Sequence, residues 1–267
     1  MVRIALGIEY NGAGFSGWQS QAQGNTVQDV VEKAIAAING RPLRVVCAGR
    51  TDTGVHALGQ VVHFDTDVER PETAWVRGVN AHLPPNVAVC WSREVDTEFH
   101  ARFSARSRAY RYVLLNRAVR PALLSGRVGW YHRPLALEAM RAAAACLIGE
   151  HDFSAFRAAE CQAKTPVKHL YRADIERQGD CIVFDFQANA FLHHMIRNLV
   201  GSLVYIGQGK HPPQWLAELL AARDRTRAAP TFDPAGLYFA GVEYDARWRL
   251  PAAGRIMLPS VADSLDL

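Results

Sequence analysis

The sequence predicts an α+β protein whose two halves share one order of strands and helices. Three observations predict it: short segments alternate apolar and polar residues, segments of helical periodicity separate them, and the same order of elements recurs in the second half. The chain has 267 residues, of which 49% are hydrophobic. A domain takes roughly 150 residues, so this length suits two domains that each bury a core.

The first half begins with the segment RIALGIEY, whose alternation predicts a half-buried strand. Thr26 and Asp29 resemble a capping box and open a helix, which Asn39-Gly40 ends. The other expected elements are strands near 43–49 and 58–66, a helix over 72–83 stopped by two prolines, and a strand near 87–95. The predicted order of this half is β-α-β-β-α-β.

The second half has the same order with one additional helix. Its expected elements are strands near 107–116, 168–177, 181–188 and 236–244, and helices near 136–148, 191–206 and 213–223. Each half is compatible with a ferredoxin-like (RRM-like) split βαβ unit with a mostly antiparallel sheet. We therefore predict an N-terminal domain over 1–105, a C-terminal domain over 106–250 and a flexible tail over 251–267, with a ligand-binding cleft between the halves.

The chain shows no signal for a membrane or an oxidising compartment. No apolar run reaches the roughly 18 residues of a membrane helix, and the N-terminus lacks the pattern of a secretory signal, so a cytoplasmic protein is expected. The five cysteines form no C-x-x-C pair and are expected to be reduced. His193 and His194 are adjacent, whereas metal-binding histidines on a helix favour the spacing i, i+4, so no metal site is predicted.

Arginine is concentrated in one part of the chain. The net charge is only +4, but between Phe99 and Leu137 there is no acidic residue and there are eight arginines: Arg102, Arg106, Arg108, Arg111, Arg117, Arg120, Arg127 and Arg133. Aromatic residues alternate with these arginines. Such a segment attracts phosphates and stacks on bases, so it favours a nucleic-acid partner over a solvated basic surface.

The segment GAGFSG spells G-x-G-x-x-G through Gly12, Gly14 and Gly17. A dinucleotide fingerprint requires this turn to run directly into a helix that binds the pyrophosphate. The predicted helix starts only near Thr26. The glycines are therefore expected to shape a loop, and a nicotinamide-dependent oxidoreductase is the weaker interpretation.

The segment AGRTDTGVHA carries one carboxylate, Asp52, between two predicted strands. Asp52 and Gly54 are residue types that favour a tight turn. Asp52, with Arg50 two residues before it, could equally be a catalytic carboxylate. Arg197 is a cation on an otherwise apolar helix, and burying it requires a partner for its charge. The sequence pattern alone leaves that partner open.

These segments closely resemble one known family, the bacterial tRNA pseudouridine synthase A family. The resemblance spans most of the chain and rests on successive motifs in order: EYNGAGFSGWQ, TVQ, AGRTDTGVHALGQVVHF, NAHLP, FHARFSA, AYRYVLLN, GEHDFSAFRA and FLHHMIRNLVGSL. It implies an enzyme that isomerises uridine to pseudouridine at positions 38, 39 and 40 in the anticodon stem-loop of tRNA. It also implies two similar α/β halves flanking a basic central cleft, a homodimer, and no cofactor or metal.

The resemblance also implies roles for four residues. Asp52 occupies the position of the catalytic aspartate, and Tyr110 that of the tyrosine that stacks on the target uracil. Arg197 matches the arginine paired with the aspartate, and Arg50 matches a further arginine of the site. The reaction breaks the N1–C1′ bond and joins C5 to C1′ without redox change. An ionised carboxylate is compatible with attack on C1′, with attack on C6 and with a glycal route, and the sequence leaves these three open. The rival interpretation is a non-catalytic RNA-binding protein.

Overall fold

The structure is a computed structural model that describes residues 1–251. The predicted tail, 251–267, lies outside the described residues apart from Pro251. Within the described part, residues 1–107 form one compact unit together with 238–251, and residues 108–237 form a second unit.

The strands and helices follow the predicted order with additions in the second half. The strands are β1 (Val2–Tyr10), β2 (Val46–Cys47), β3 (His56–Thr66), β4 (Val87–Val95), β5 (Ala105–Asn116), β6 (Gly129–Tyr131), β7 (Gly149–Asp152), β8 (Val167–Gln178), β9 (Cys181–Ala188) and β10 (Leu237–Tyr244). The helices are α1 (Val27–Asn39), α2 (Glu72–His82), α3 (Leu137–Ala144), α4 (Met195–Gly207) and α5 (Trp215–Ala222). The mixed α/β class with mostly antiparallel sheets is confirmed.

The first unit has the strand order of a ferredoxin-like sheet. β1 pairs antiparallel with both β3 and β4, and β2 pairs antiparallel with the C-terminal part of β3. β10 pairs parallel with the N-terminal end of β3, with Tyr238 opposite His56. The strand near 236–244 was predicted with the second half, and its pairing with β3 is a finding of the structure. Pairing between strands so distant in the chain leaves no local signal.

Helix α1 begins and ends where its capping residues predict. The Thr26 side chain accepts a hydrogen bond from the backbone N–H of Asp29 at 3.3 Å, and its hydroxyl donates to the Asp29 carboxylate at 2.6 Å. Gly40 closes the helix in the left-handed conformation, with φ of 77°. Val27, Val31 and Ile35 are fully buried on its inner side. The backbone N–H groups of Val27 and Gln28 donate to the carbonyls of Gly17 and Trp18, which ties the preceding loop to the helix.

The second unit is built on an antiparallel sheet of β5, β9, β8 and β7 in that order. The short strand β6 adds to β5 in parallel over three residues. β6 and β7 were not predicted because segments of three and four residues are too short to show periodicity.

Helix α4 begins at Met195, four residues later than predicted. His194 precedes it with φ of 61°, a left-handed conformation that a helix interior does not contain. Arg197 is therefore in the first turn of a largely apolar and largely buried helix. Among residues 1–251, no helix combines the length and the apolar character needed to cross a membrane.

Candidate active site

Asp52 lies at the start of a tight turn in the loop from β2 to β3. The backbone N–H of Val55 donates to the Asp52 carbonyl at 3.1 Å, and Gly54 has φ of 78°, as in a type II turn. The Asp52 side chain is half-buried and the preceding Thr51 is buried. A role in the turn and a catalytic role are therefore compatible for Asp52, because the glycine forms the turn that presents the carboxylate.

The glycine-rich loop after β1 packs against this turn. A Cβ atom placed on Gly12 would lie 1.9 Å from the carbonyl oxygen of Val55, and one on Gly17 would lie 2.8 Å from that of Thr51. The backbone N–H of Trp18 donates to the Thr51 carbonyl at 3.0 Å. Only residues without a side chain fit such backbone contacts. The G-x-G-x-x-G string thus braces the aspartate loop, and α1 starts ten residues after Gly17 at Val27.

Two buried polar side chains of the first unit form hydrogen bonds to the same loop. Gln60 is fully buried, and its amide donates to the Gly49 carbonyl at 2.6 Å and accepts from the Gly49 N–H at 3.4 Å. The Tyr10 hydroxyl lies 2.7 Å from the Thr51 hydroxyl. Arg50, between these two fixed points, is exposed. The loop is therefore fixed on both sides of Arg50, and a backbone held in this way needs no reorganisation when substrate binds.

Tyr110 lies on β5 of the second unit, opposite Phe186 of β9. The ring is half-buried, and its centroid is 5.0 Å from that of Phe191 in an edge-to-face arrangement. Such a contact holds the orientation of a tyrosine ring while leaving part of it accessible. This geometry suits a ring that contacts a planar ligand.

Arg197 is held by the segment before β10. Its Nε donates to the Phe232 carbonyl at 2.8 Å, and its own carbonyl accepts from the Phe232 N–H at 3.2 Å. A cation in the first turn of a helix is disfavoured by the helix dipole, so helix propensity does not account for this residue. The tertiary contact to Phe232 therefore fixes the direction of the guanidinium.

A buried amide next to Arg197 ties the same segment to α4. Asn198 is fully buried and donates to the Phe156 carbonyl at 2.8 Å. Its oxygen accepts from the Arg225 guanidinium at 3.0 Å and from the Thr231 hydroxyl at 2.7 Å. Asn198 was not predicted as a site residue, although a polar residue beside Arg197 on a largely apolar helix is a signal for such a network.

The arginine-rich segment is partly neutralised by carboxylates from elsewhere in the chain. Arg111 forms a two-pronged ion pair with Asp185, with both N–O distances 2.8 Å. Arg106 pairs with Asp245, and Arg117 lies 3.9 Å from Asp180. Arg120 and Arg133 are exposed. The segment is therefore divided between arginines that stabilise the fold and arginines that face solvent.

The two adjacent histidines precede helix α4. Their ring centroids are 4.0 Å apart, with an angle of 38° between the planes. Both histidines were predicted inside a helix over 191–206. That placement was wrong, since His194 is the residue before the first helical position, and the i, i+4 spacing of helical metal ligands does not apply to the pair.

The four predicted site residues fall in two units. Asp52 and Arg50 lie in the first unit, and Tyr110 and Arg197 lie in the second. The roles of these four residues stay predictions. The two hydrogen bonds from Gln60 to Gly49 leave no local signal in the sequence, because they form only when the loop and the strand are folded together.

Known proteins resemble this chain along nearly its whole length. The family model described as tRNA pseudouridine synthase matches residues 7–104 and 143–245. Proteins named tRNA pseudouridine synthase A are 65% identical in Thiobacillus denitrificans, over 94% of this chain and 96% of theirs, and 63% identical in Dechloromonas aromatica, over 94% and 95%. The relative of that name in Methylobacillus flagellatus is 58% identical over 98% of this chain and 100% of its own.

The chain belongs to the tRNA pseudouridine synthase family. It is therefore an isomerase of RNA modification that converts uridine to pseudouridine in tRNA. A solved structure titled "Crystal Structure of a Cbf5-Nop10-Gar1 Complex" overlaps 75% of the chain and 45% of its own at 13% identity, with a TM-score of 0.35, which is too weak a likeness to support any conclusion.

Proposed function

We propose that this enzyme isomerises uridines at positions 38, 39 and 40 in the anticodon stem-loop of tRNA, with Asp52 as the nucleophile. The family resemblance supports the positions, and the observation that carries the role of Asp52 is the bracing of its turn by Gly17, Trp18 and Tyr10, together with the hydrogen bonds of Gln60 to Gly49. A fixed carboxylate on a rigid loop suits nucleophilic or electrostatic catalysis, because the geometry is organised before the substrate arrives.

The reaction requires three kinds of functional group from the protein. A carboxylate must capture or stabilise the reactive centre while the N1–C1′ bond breaks, and we assign this to Asp52. An aromatic face must hold the uracil after the nucleotide leaves its stack, and we assign this to Tyr110. A cation must balance the carboxylate and orient it, and we assign this to Arg197, with Arg50 as an additional substrate contact.

The test is tritium release from tRNA transcripts labelled at uridine C5, because forming the C5–C1′ bond displaces the hydrogen at C5. Transcripts with a single uridine of the anticodon arm at position 38, 39 or 40 are compared with one whose only candidate uridine lies outside that arm. We expect release from the first three only. Release from the fourth transcript alone would overturn the assigned positions while leaving the class of reaction intact.

The nucleophile is tested by Asp52→Asn, which keeps the shape of the side chain and removes its charge. We expect release to fall at least about a thousandfold, since removing a nucleophile leaves only binding effects. Asp67→Asn is the matched control, because Asp67 is exposed and paired with Arg41 on the surface. Full turnover in a folded Asp52→Asn variant would exclude the assignment.

We further propose that the enzyme is a cytoplasmic homodimer that works without cofactor or metal. The family resemblance supports this proposal. Light scattering after size-exclusion chromatography measures the mass against the 29.5 kDa chain, and a value near twice that mass is expected. A single-chain mass at working concentration would contradict the dimer.

A further inference from the structure

The first unit exposes a large aromatic side chain, that of Phe103, to solvent. Phe103 is 77% exposed and lies in the loop between β4 and β5. Single exposed apolar residues are common on protein surfaces, so exposure by itself carries no meaning. Here, however, the surrounding loop is held rigid and the ring is stacked on a second aromatic side chain.

The loop is anchored on both sides of His100. Phe99 and Ala101 are fully buried, and the Tyr244 hydroxyl donates to the Ala101 carbonyl at 2.6 Å. The backbone N–H of Ser104 donates to the His100 carbonyl at 2.8 Å, and the Ser104 hydroxyl accepts from the His100 N–H at 2.9 Å. Phe103 therefore projects from a closed turn rather than from a mobile tip.

The His100 ring supports Phe103 from one side. The two ring centroids are 4.3 Å apart with 28° between the planes, and His100 Nδ1 accepts from the backbone N–H groups of Arg102 and Phe103, each at 3.2 Å. Burial lowers the pKa of His100, with nearby Arg3 contributing. The imidazole is thus neutral at neutral pH, which is the form that accepts at Nδ1.

A second histidine lies behind the first. The buried His63 ring lies 4.9 Å from the His100 ring, and its Nδ1 accepts from the Ala101 N–H at 3.1 Å. The stack of Phe103 on His100 is therefore supported from the core of the unit to the surface. An aromatic side chain fixed in this way loses little conformational entropy when it binds a ligand.

The charge around the ring is positive. The Arg102 guanidinium carbon lies 5.7 Å from the centre of the Phe103 ring, and Arg102 is exposed. The chain from Phe99 onward carries no acidic residue for nearly forty positions. The guanidinium lies over a ring that is still 77% exposed, and an exposed aromatic ring with an arginine at its face suits single-stranded nucleic acid, in which bases stack on rings and phosphates bind arginine.

We propose that Phe103, supported by His100, is a stacking platform for an unpaired base of the tRNA substrate, with Arg102 contacting an adjacent phosphate. This rests on the proposed function and adds a binding element outside the residues assigned to the reaction. The platform binds substrate but does not take part in bond making, so its loss weakens tRNA affinity and leaves the chemical step intact.

The experiment compares Phe103→Ala, Phe103→Leu and Phe103→Tyr in the full chain. Equilibrium binding is measured with fluorescently labelled tRNA, and tritium release is measured under single-turnover conditions at saturating enzyme. We expect Phe103→Ala and Phe103→Leu each to weaken binding roughly tenfold, since stacking on an aromatic ring is worth about that much per base. Phe103→Tyr retains wild-type affinity, because it keeps the π-face.

Tyr171→Ala is the matched control. Tyr171 is 50% exposed, and its ring lies tilted against that of His169 with the centroids 4.8 Å apart, but it lies on β8 beside Arg172, which is paired with Asp174 and Asp185. We expect the Tyr171→Ala variant to bind tRNA with wild-type affinity. A Phe103→Leu variant that binds as tightly as the wild type, or a Tyr171→Ala variant that loses as much affinity as Phe103→Ala, would overturn the platform.

The two proposals fail in different ways. If the wild-type enzyme releases no tritium from any of the four transcripts, the proposed function falls and the platform falls with it. If the wild type is active and Phe103→Ala binds tRNA as tightly, only the platform falls. Thermal unfolding checks each variant, and an exposed ring is expected to leave the midpoint unchanged.

Discussion

Gly17 packs directly on the backbone that leads into and out of Asp52. A Cβ atom at Gly17 would lie 2.8 Å from the Thr51 carbonyl oxygen and 3.2 Å from the Asp52 carbonyl carbon. Real Cβ atoms do not approach so closely, so any side chain at this position displaces one of the two loops. The proposed nucleophile therefore depends on a residue thirty-five positions earlier in the chain.

Gly17→Ala is accordingly expected to reduce turnover. The displaced loop moves the Asp52 carboxylate, and a shift near 1 Å costs on the order of a hundredfold in rate. Gly14→Ala is the control, because Gly14 has nearly the same φ, 87° against 89°, but no atom within 4 Å of its Cβ position. Single-turnover rates and melting temperatures separate the two effects, and an equal loss of rate in both variants would contradict the bracing.

Gln60→Leu is expected to destabilise the first unit. The substitution leaves both backbone polar groups of Gly49 without the Gln60 amide, and each unsatisfied buried group costs about 1–3 kcal/mol. Gln21→Leu removes an exposed amide that donates to Ser16 and is expected to change the free energy of unfolding by less than about 0.5 kcal/mol. Urea unfolding measures both, and an unchanged midpoint for Gln60→Leu would show that the clamp is dispensable.

The buried His63 is expected to make stability depend on pH. Burial lowers its pKa to about 4, whereas the unfolded chain restores the ordinary value near 6.5. Between these values the unfolded state binds more protons, so the contribution of neutral His63 is present above pH 6.5 and is lost as the pH falls towards 4.

The measurement is urea unfolding at pH 7 and at pH 4.5. His63→Gln is expected to show a smaller loss of stability between the two than the wild type, because the titrating group is removed. His132→Gln, at an exposed histidine, is expected to lose as much as the wild type. Identical pH dependence in all three proteins would contradict the assignment to His63.

Salt dependence distinguishes the two kinds of arginine. We expect tRNA affinity to fall steeply with salt, because arginines that contact phosphates release counterions. Arg120→Gln and Arg133→Gln should each reduce the slope of log K against log salt by about one. Arg111→Gln should instead lower the free energy of unfolding, since Asp185 loses a two-pronged partner. An unchanged slope in both Arg120→Gln and Arg133→Gln would exclude these two arginines as phosphate contacts.

Removal of metal is expected to leave the reaction unchanged. The isomerisation transfers no electrons, and the proposed carboxylate and guanidinium groups supply its charge stabilisation. Turnover is compared before and after dialysis against EDTA, with one sample reloaded with zinc. Loss of activity that zinc restores would implicate the paired rings of His193 and His194, and their glutamine variants would then be inactive with zinc present.

The sequence by itself determined the elements whose ends are fixed by neighbouring residues. The helix from Thr26 to Gly40 was predicted because both ends carry their own capping groups within a few residues. The turn at Asp52 was predicted for the same reason, since Gly54 supplies the positive φ two residues on. These interactions need no distant partner, so the order of residues specifies them.

The tertiary structure alone decided which distant segments support the site. Gly17 against Asp52, Gln60 against Gly49 and Arg197 against Phe232 all join residues whose separation in the chain carries no periodic signal. The sequence placed an aspartate, a tyrosine and two arginines in motifs that resemble a known family. What makes the Asp52 loop rigid is close packing and satisfied buried hydrogen bonds, which exist only once the chain has folded.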